Sequence, residues 1–197
     1  MAVRAAIAGL ALGLAAAAGM VPAAGAAAAV SSGPGTQLWV SRYNGLGNGG
    51  DGARSVAVSP DGNTVYVTGY TDVSSLNYDY GTVAYNAATG ARLWARRYNG
   101  PANGDDTPSS VTVSPDGNTV YVTGASQGAS SGYDYATAAY GAATGARLWT
   151  KRYNGAGSGN DTANSVAVSP TTGTVFVTGL SVGSGSSADD ATIACHG

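Results

Sequence analysis

The stretch Ala84–Trp94 reads A-Y-N-A-A-T-G-A-R-L-W, and it returns as A-Y-G-A-A-T-G-A-R-L-W at Ala139–Trp149. The two copies are 55 residues apart, and another Leu-Trp pair ends at Trp39, a further 55 residues towards the N-terminus. Self-similarity at a fixed period of this length is typical of repeat architectures. The chain from residue 37 to residue 197 is therefore predicted to consist of copies of one unit.

Each unit contains four short segments that are typical of β-strands, because Val, Thr and Tyr alternate in them with small residues. In the first unit these segments are 55–59, 64–68, 80–85 and 91–98. Two tight turns that end in or contain glycine, Ser59–Asn63 and Asn86–Gly90, join the first segment to the second and the third to the fourth. The other connections, 69–77 and 44–54, are long and polar. In an antiparallel meander, both tight turns then lie on one face and both long loops on the other.

A four-stranded meander that repeats along a chain is typical of the blades of a β-propeller. The sequence therefore predicts an all-β fold, a β-propeller-type array of four-stranded antiparallel blades with about three blades. The blades are expected at about residues 53–98, 108–153 and 163–195, with an additional N-terminal strand at 37–43. The third blade has three strands, and the N-terminal strand is of the missing fourth type. Three arrangements remain open: an open arc, a ring completed by a homodimer, and a piece of a longer array.

Residues 1–29 have the features of a secretory signal peptide. Arg4 precedes an apolar run at 5–20, Pro22 interrupts it, and small residues offer a cleavage site at Ala24–Ala26 or Ala27–Ala29. Residues 30–36 are predicted to be a linker. We therefore expect a secreted, extracellular protein with no membrane span after cleavage, and an uncleaved anchor is the alternative.

The composition excludes several classes of function. Charged residues are 10% of the chain and the net charge is −2, which disfavours nucleic-acid binding because phosphates require clustered Lys and Arg. The single cysteine, Cys195, excludes an internal disulfide, and the single histidine, His196, offers no hydrolase triad. Cys195 replaces Tyr85 and Tyr140 of the earlier copies, which indicates a diverged position, with an intermolecular disulfide or a reactive thiol as alternatives. We find no catalytic constellation.

Aspartates recur at the 55-residue period in both kinds of long connection. They are Asp51, Asp106 and Asp161 in one and Asp79, Asp134 and Asp189 in the other. On a common face they form a candidate rim of carboxylates for Ca²⁺ or sugar hydroxyls. The alternative is that each aspartate caps its own loop through backbone N–H groups. Recurrence favours capping, since a structural turn must recur in every blade whereas a binding site need not.

The spacing Ala84-x-Asn86-x-x-Thr89-Gly90-x-x-x-Trp94 resembles the tryptophan-docking motif of quinoprotein (PQQ-type) propeller dehydrogenases. The second copy keeps Ala139, Thr144, Gly145 and Trp149 and has Gly141 in place of the amide. The segment 59–69 also resembles the YVTN-type repeats of secreted bacterial propellers. The resemblance implies a propeller in which this motif joins blades. In the enzymes, the quinone requires a vicinal cysteine pair, a Ca²⁺ site and a catalytic aspartate in an eight-blade ring.

We therefore expect a secreted, non-enzymatic binding or scaffold module without a cofactor, whose long-loop face contacts an unknown protein or glycan. One alternative is a fragment related to PQQ-dependent quinoprotein oxidoreductases, with PQQ and Ca²⁺ as its cofactors. The other is a truncated product without independent function.

Overall fold

The computed structural model describes residues 33–74 and 77–197, so the predicted signal peptide lies outside the described residues. Residues 37–197 form one compact unit, and residues 33–36 belong to a separate preceding unit. The described part of the first unit is a turn in which the Thr36 backbone N–H donates to the Gly33 carbonyl at 3.1 Å. In the part of the chain that the structure describes, no helix is long and apolar enough to cross a membrane.

The second unit consists of β-strands in three antiparallel sheets. The strands are β1 (Asp51–Val58), β2 (Thr64–Ser74), β3 (Asn77–Asn86), β4 (Arg92–Tyr98), β5 (Asp106–Val113), β6 (Thr119–Gln127), β7 (Tyr133–Gly141), β8 (Arg147–Tyr153), β9 (Thr162–Val168), β10 (Val175–Ser181) and β11 (Asp189–Cys195). The sheet orders are β1-β2-β3-β4, β5-β6-β7-β8 and β9-β10-β11, which we name blades one, two and three. The predicted all-β fold with about three propeller-type blades is confirmed.

Burial along the strands reflects how many neighbours each blade has. The middle strands of blade two, β6 and β7, are buried on both faces because blade one covers one side and blade three the other. In contrast, β10 of blade three alternates strictly between buried and exposed residues. This period of two indicates a sheet covered on one face only.

The tight turns have the conformation that their glycines allow. In the first turn of blade one, the Ser59 backbone N–H donates to the Thr64 carbonyl at 2.9 Å, and the Asp61 carboxylate accepts the Asn63 N–H at 3.1 Å. Gly62 follows Asp61 with φ of +75°, and Gly90 ends the second turn with φ of +71°. Residues with a Cβ rarely adopt this left-handed conformation. The composition of these turns thus dictates the two hairpins.

The strands extend further into the long connections than predicted. Each blade's first strand was expected near residues 53, 108 and 163 but begins at Asp51, Asp106 and Thr162. The connection 69–77, predicted to be a loop, is mostly strand, because β2 continues to Ser74 and β3 begins at Asn77. Edge-to-face contact of the Tyr70 and Tyr78 rings, with centroids 5.1 Å apart, accompanies this extension.

The predicted N-terminal strand at 37–43 does not form within the single chain, where this segment is paired with no strand among the described residues. The indole of Trp39 instead contacts blade one, and its Nε1–H donates to the Ala87 carbonyl at 2.9 Å. A strand needs a neighbouring backbone to satisfy its ladder, and within the described residues no strand pairs with this segment. In the described residues the blades form an open arc, in which β11 pairs only with β10.

The core lies between the blades. Tyr66, Tyr80 and Trp94 of blade one pack on Val122 and Tyr140 of blade two. A second cluster of the same kind joins blades two and three. The hydroxyl of buried Tyr80 also donates to the Ala136 carbonyl of the next blade at 3.2 Å. Each blade therefore depends on its neighbour for burial, as in other repeat proteins.

Two glycine substitutions separate backbone strain from blade docking. Gly145 and Gly173 both have φ of +68°, but a Cβ at Gly145 would lie 2.7 Å from Trp94 Cδ2, whereas a Cβ at Gly173 meets nothing within 4 Å. We predict that Gly173→Ala lowers the free energy of unfolding by about 1–2 kcal/mol. Gly145→Ala should cost roughly twice as much, because it also displaces the indole. Urea denaturation measures both, and equal losses would contradict the packing argument.

Candidate functional site

The repeated motif forms a contact between the tryptophan of one unit and the second tight turn of the next. Trp94 Nε1–H donates to the Ala142 carbonyl at 2.8 Å, and its ring lies on Gly145. Trp39 makes the same contacts one unit earlier, with the Ala87 carbonyl at 2.9 Å and Gly90. Because both glycines approach the indole so closely, no larger residue fits there without displacement.

The other motif residues build the turn that receives the indole. Asn86 Oδ1 accepts hydrogen bonds from the backbone N–H groups of Ala88 and Thr89 and from the Thr89 hydroxyl, at 3.0–3.1 Å. In the second copy Gly141 cannot do this, and the turn keeps the bond that both copies share: the Thr144 hydroxyl accepts from the Ala146 N–H at 3.2 Å, as the Thr89 hydroxyl accepts from the Ala91 N–H at 3.3 Å. The alanines that open the two motifs, Ala84 and Ala139, are fully buried. The polar groups of the motif are thus committed to the turn itself.

The third tryptophan has an incomplete environment. Trp149 is half-buried and packs on Tyr121, with ring centroids 5.8 Å apart. Among the described residues its indole N–H has no acceptor, and Gly197 occupies the sequence position of Ala142. Cys195 lies where Tyr140 lies in blade two, and its partly buried thiol packs on the cluster between blades two and three.

The first set of recurring aspartates lies inside the loops that precede each blade. Each carboxylate accepts the backbone N–H of the residue six positions earlier, at 2.5–2.8 Å. The pairs are Asp51 with Gly45, Asp106 with Gly100 and Asp161 with Gly155. Asp161 also accepts the Val182 N–H at 2.9 Å, and both Asp106 and Asp161 are fully buried. These contacts are loop caps, and they turn the carboxylates away from an exposed rim.

The second set pairs with arginines of the outermost strands. Arg97 lies 2.7 Å from the Asp79 carboxylate, and Arg152 lies 2.8 Å from that of Asp134. Sequence reasoning missed these ion pairs, although an arginine follows the aspartate by 18 residues in both units. Asp189 of blade three differs, because it is exposed and, among the described residues, accepts only the Ser186 hydroxyl at 2.5 Å.

Arg152 makes more hydrogen bonds than its copy Arg97. It donates to the Tyr98 hydroxyl of blade one at 3.2 Å, to the Ser126 carbonyl at 2.9 Å and to the Ser126 hydroxyl. Arg97 contacts Asp79 alone among the described residues, and the Thr71 hydroxyl, at the place of Ser126, has no hydrogen-bond partner in the same set of residues. Tyr43 occupies the repeat position of Tyr98 one unit earlier, but its ring lies against Arg92, 5.9 Å from the guanidinium carbon.

Burial changes the acidity of the enclosed carboxyls. Desolvation raises the pKa of Asp79 to about 6, Arg97 opposes the rise, and the nearby charge of Asp106 adds to it. Desolvation also raises the pKa of Asp106, against the hydrogen bonds from the Ser126 hydroxyl and the Gly100 N–H. Burial is the largest cause of both pKa shifts, and structural ion-pair networks also perturb pKa values in this way.

The recurring carboxylates do not fit a quinone cofactor with its calcium ion. Five of the six are engaged by loop N–H groups or arginines. In residues 33–74 and 77–197 no group of three or more His, Cys, Asp or Glu side chains could hold a metal ion. The chain also has a single cysteine, whereas the resemblance calls for an adjacent pair. We derive no chemical step through such a group.

The loops of successive blades are bonded into one surface. Asn77 of blade one donates to the Asn103 carbonyl at 2.8 Å, and the Tyr78 N–H donates to the Asp105 carboxylate at 3.1 Å. The same joint recurs one blade later, where the Tyr133 N–H donates to Asn160 Oδ1 at 3.0 Å. We call this surface the long-loop face, defined by residues 44–50, 99–105, 128–132, 154–161 and 182–188.

The fold defines a β-propeller repeat protein. The family model described as "Outer membrane protein assembly factor BamB" matches residues 23–194, and the chain therefore belongs to this family of PQQ-like propeller repeats. A comparison with curated proteins gave no match.

Two solved structures are similar in shape to parts of the chain. One is the hydrazine synthase of Kuenenia stuttgartiensis, at 17% identity and a TM-score of 0.43. The other is a protein of Bacteroides fragilis assigned as a 6-phosphogluconolactonase, at 14% identity and a TM-score of 0.43. Each alignment covers 64% of this chain and 31% of the other, so the chain spans about a third of either structure.

The acidity of Asp79 predicts an unusual dependence of stability on pH. An unfolded aspartate has a pKa of about 4, so between about pH 4 and pH 6 the folded chain retains a proton that the unfolded chain releases. The ionisation of Asp79 therefore lowers stability as the pH rises through this window. Between pH 4 and pH 7, the free energy of unfolding of the wild type should fall by roughly 2–3 kcal/mol relative to that of Asp79→Asn. Urea denaturation at each pH measures both.

Asp61 provides a control in which stability should change with pH in the opposite direction. Hydrogen bonds from the Ser59 hydroxyl and then from Asn63 lower the pKa of this exposed carboxyl. The wild type should therefore gain stability relative to Asp61→Asn as the pH rises through the lowered pKa towards the unfolded value. A pH-independent difference between the wild type and Asp79→Asn would contradict the predicted burial of the charge.

Proposed function

We propose that the protein is an exported, non-enzymatic scaffold whose long-loop face binds another protein. The observation that carries this proposal is the hydrogen bonding between loops of successive blades, from Asn77 to Asn103, from Tyr78 to Asp105 and from Tyr133 to Asn160. A surface held in one conformation before binding loses little conformational entropy when a partner docks. Rigid loops on a β-scaffold are suited to recognition rather than to chemistry.

The chemistry of this face also favours recognition of a protein. Leu46 is 82% exposed at the tip of the first loop, and Pro101 and Ala156 are exposed at the same position of the following loops. Around them are uncharged amides such as Asn44 and Asn154. These apolar positions and their amide neighbours carry no charge, and charged residues are depleted at the core of protein interfaces.

Membership of this family also supports the proposal. Its description names an outer membrane protein assembly factor. Residues 1–29 have the composition of a secretory signal, which agrees with a place outside the cytoplasm. We propose the same kind of role here, in the cell envelope or the medium, with a partner that is yet to be identified.

Charged substitutions on the exposed apolar positions test the proposal. The double variant Leu46→Asp/Ala156→Asp changes the long-loop face without removing a loop cap. Protein and glycan arrays probed with the wild-type chain should give protein hits, and the variant should bind these hits at least tenfold more weakly, since desolvating a carboxylate in an interface is costly.

The control variant is Ala88→Asp/Ala143→Asp, which places the same charges on exposed residues of the opposite, tight-turn face. It should bind like the wild type. Equal weakening by both variants, or hits on glycans alone, would overturn the proposal of a protein-binding loop face. Saturable binding of PQQ in the presence of Ca²⁺, followed by tryptophan fluorescence, would instead favour the oxidoreductase relationship.

A further inference from the structure

The outer face of blade one is exposed, whereas the equivalent faces of blades two and three are buried. Val56 is 62% exposed there, whereas its copies Val111 and Val166 are each 6% exposed. The difference arises because blade one packs on Val111 and blade two packs on Val166. The outer face of blade one therefore has the shape and apolar character of a surface that receives a blade.

Blade three presents the complementary face. Phe176 is 43% exposed on it, whereas its copies Tyr66 and Tyr121 are 2% and 3% exposed because they pack against the following blade. Leu180 is a second exposed apolar residue on this strand. Blade three thus ends in the kind of surface that blades one and two use to cover their neighbours.

The segment 37–43 lies where the fourth strand of a preceding blade would lie. Trp39 contacts the turn of blade one as Trp94 contacts that of blade two, with indole to carbonyl distances of 2.9 and 2.8 Å. The ring of Trp39 is 6.4 Å from Tyr85, and that of Trp94 is also 6.4 Å from Tyr140. Yet no strand of the described residues pairs with 37–43, and β11 lacks a partner on one side.

We propose that two copies of the chain associate head to tail and close a six-blade ring, in which residues 37–43 of each copy form the fourth strand of the partner's third blade. The described residues of one copy form three blades, whereas propeller rings have about four to eight. Two copies supply six, and both unpaired edges and both uncovered faces are then used in the same contact.

The charges at the two edges are complementary. Arg42 occupies the repeat position of Arg97 and Arg152, and it is exposed without a carboxylate partner among the described residues. Asp189 occupies the position of their partners Asp79 and Asp134, and no arginine reaches it within the same residues. In the ring, Arg42 pairs with Asp189 of the partner subunit as Arg152 pairs with Asp134.

A cavity marks the place where the partner blade would enter. It has a volume of about 470 Å³ and lies between segment 37–43 and blade one, lined among others by Arg42, Gly69 and Gly81. At the junction of blades one and two the side chain of Tyr80 fills the corresponding space beside Gly124, the copy of Gly69. In the partner's third blade this position is Asp190, a carboxylate that faces the cavity wall bearing Arg42.

A charge exchange tests the predicted ion pair. Sedimentation equilibrium should show a dimer of the purified chain, and Arg42→Asp and Asp189→Arg should each raise its dissociation constant at least tenfold, because like charges then face each other. The combined variant Arg42→Asp/Asp189→Arg should restore the constant to within about threefold of the wild type, since the pair is re-formed in reverse. Lys151→Asp, an exposed charge reversal on β8, should have no effect.

A disulfide tests the register. In blade one Thr82 pairs with Arg96, and the same register across the interface places Thr192 opposite Ser41 of the partner subunit. In a Cys195→Ala background, Ser41→Cys/Thr192→Cys should form an intermolecular disulfide on oxidation, because directly opposed strand residues lie within bonding reach. The control Val40→Cys/Thr192→Cys is displaced by one residue, so its side chains point to opposite faces and should not bridge.

Three outcomes would overturn the proposal. The first is a single-chain mass at every concentration up to about 100 μM. The second is a dimer that responds to neither the charge exchange nor the cysteine pair. The third is a series of assemblies larger than two copies, because such a series indicates an open chain of blades rather than a closed ring.

Discussion

The architecture depends on one contact, the indole of a tryptophan on the glycine of the next unit's turn. Trp94 supplies three things at once: a large apolar ring for the core between blades, a hydrogen bond to the Ala142 carbonyl at 2.8 Å, and a close approach that only Gly145 permits. An aromatic ring of this size buries roughly 150–250 Å². A blade alone has too little core to be stable, so this contact converts separate four-stranded sheets into an array.

The same dependence explains the polar groups of the chain. Asp106 and Asp161 are used to shape loops, and Asp79 and Asp134 are paired with arginines, so the recurrence of aspartate reflects the needs of each blade. A buried carboxylate is tolerated only when backbone N–H groups or a cation compensate its desolvation. The recognition that we propose then falls to the exposed rim of loops that these buried groups hold in place.

The fold could be predicted because its decisive features are local. The turn around Gly62, the motif that ends at Trp94 and the alternation of Val and Thr each specify structure over a few residues, and the period multiplies them. Whether segment 37–43 forms a paired strand could not be predicted, because the pairing of an edge depends on which strand lies beside it. The ion pair of Arg152 with Asp134 was missed for the same reason, since a register must be known before cross-strand neighbours can be named.

The most direct test of the central claim is the free energy of unfolding of Trp94→Phe compared with that of Trp149→Phe. Trp94 is 7% exposed and donates to a carbonyl, whereas Trp149 is half-buried and has no acceptor among the described residues. If docking on the next turn holds the blades together, Trp94→Phe should cost about 2–4 kcal/mol and Trp149→Phe less than about 1.5 kcal/mol. Equal losses would contradict the account, because the two rings would then contribute through their size alone.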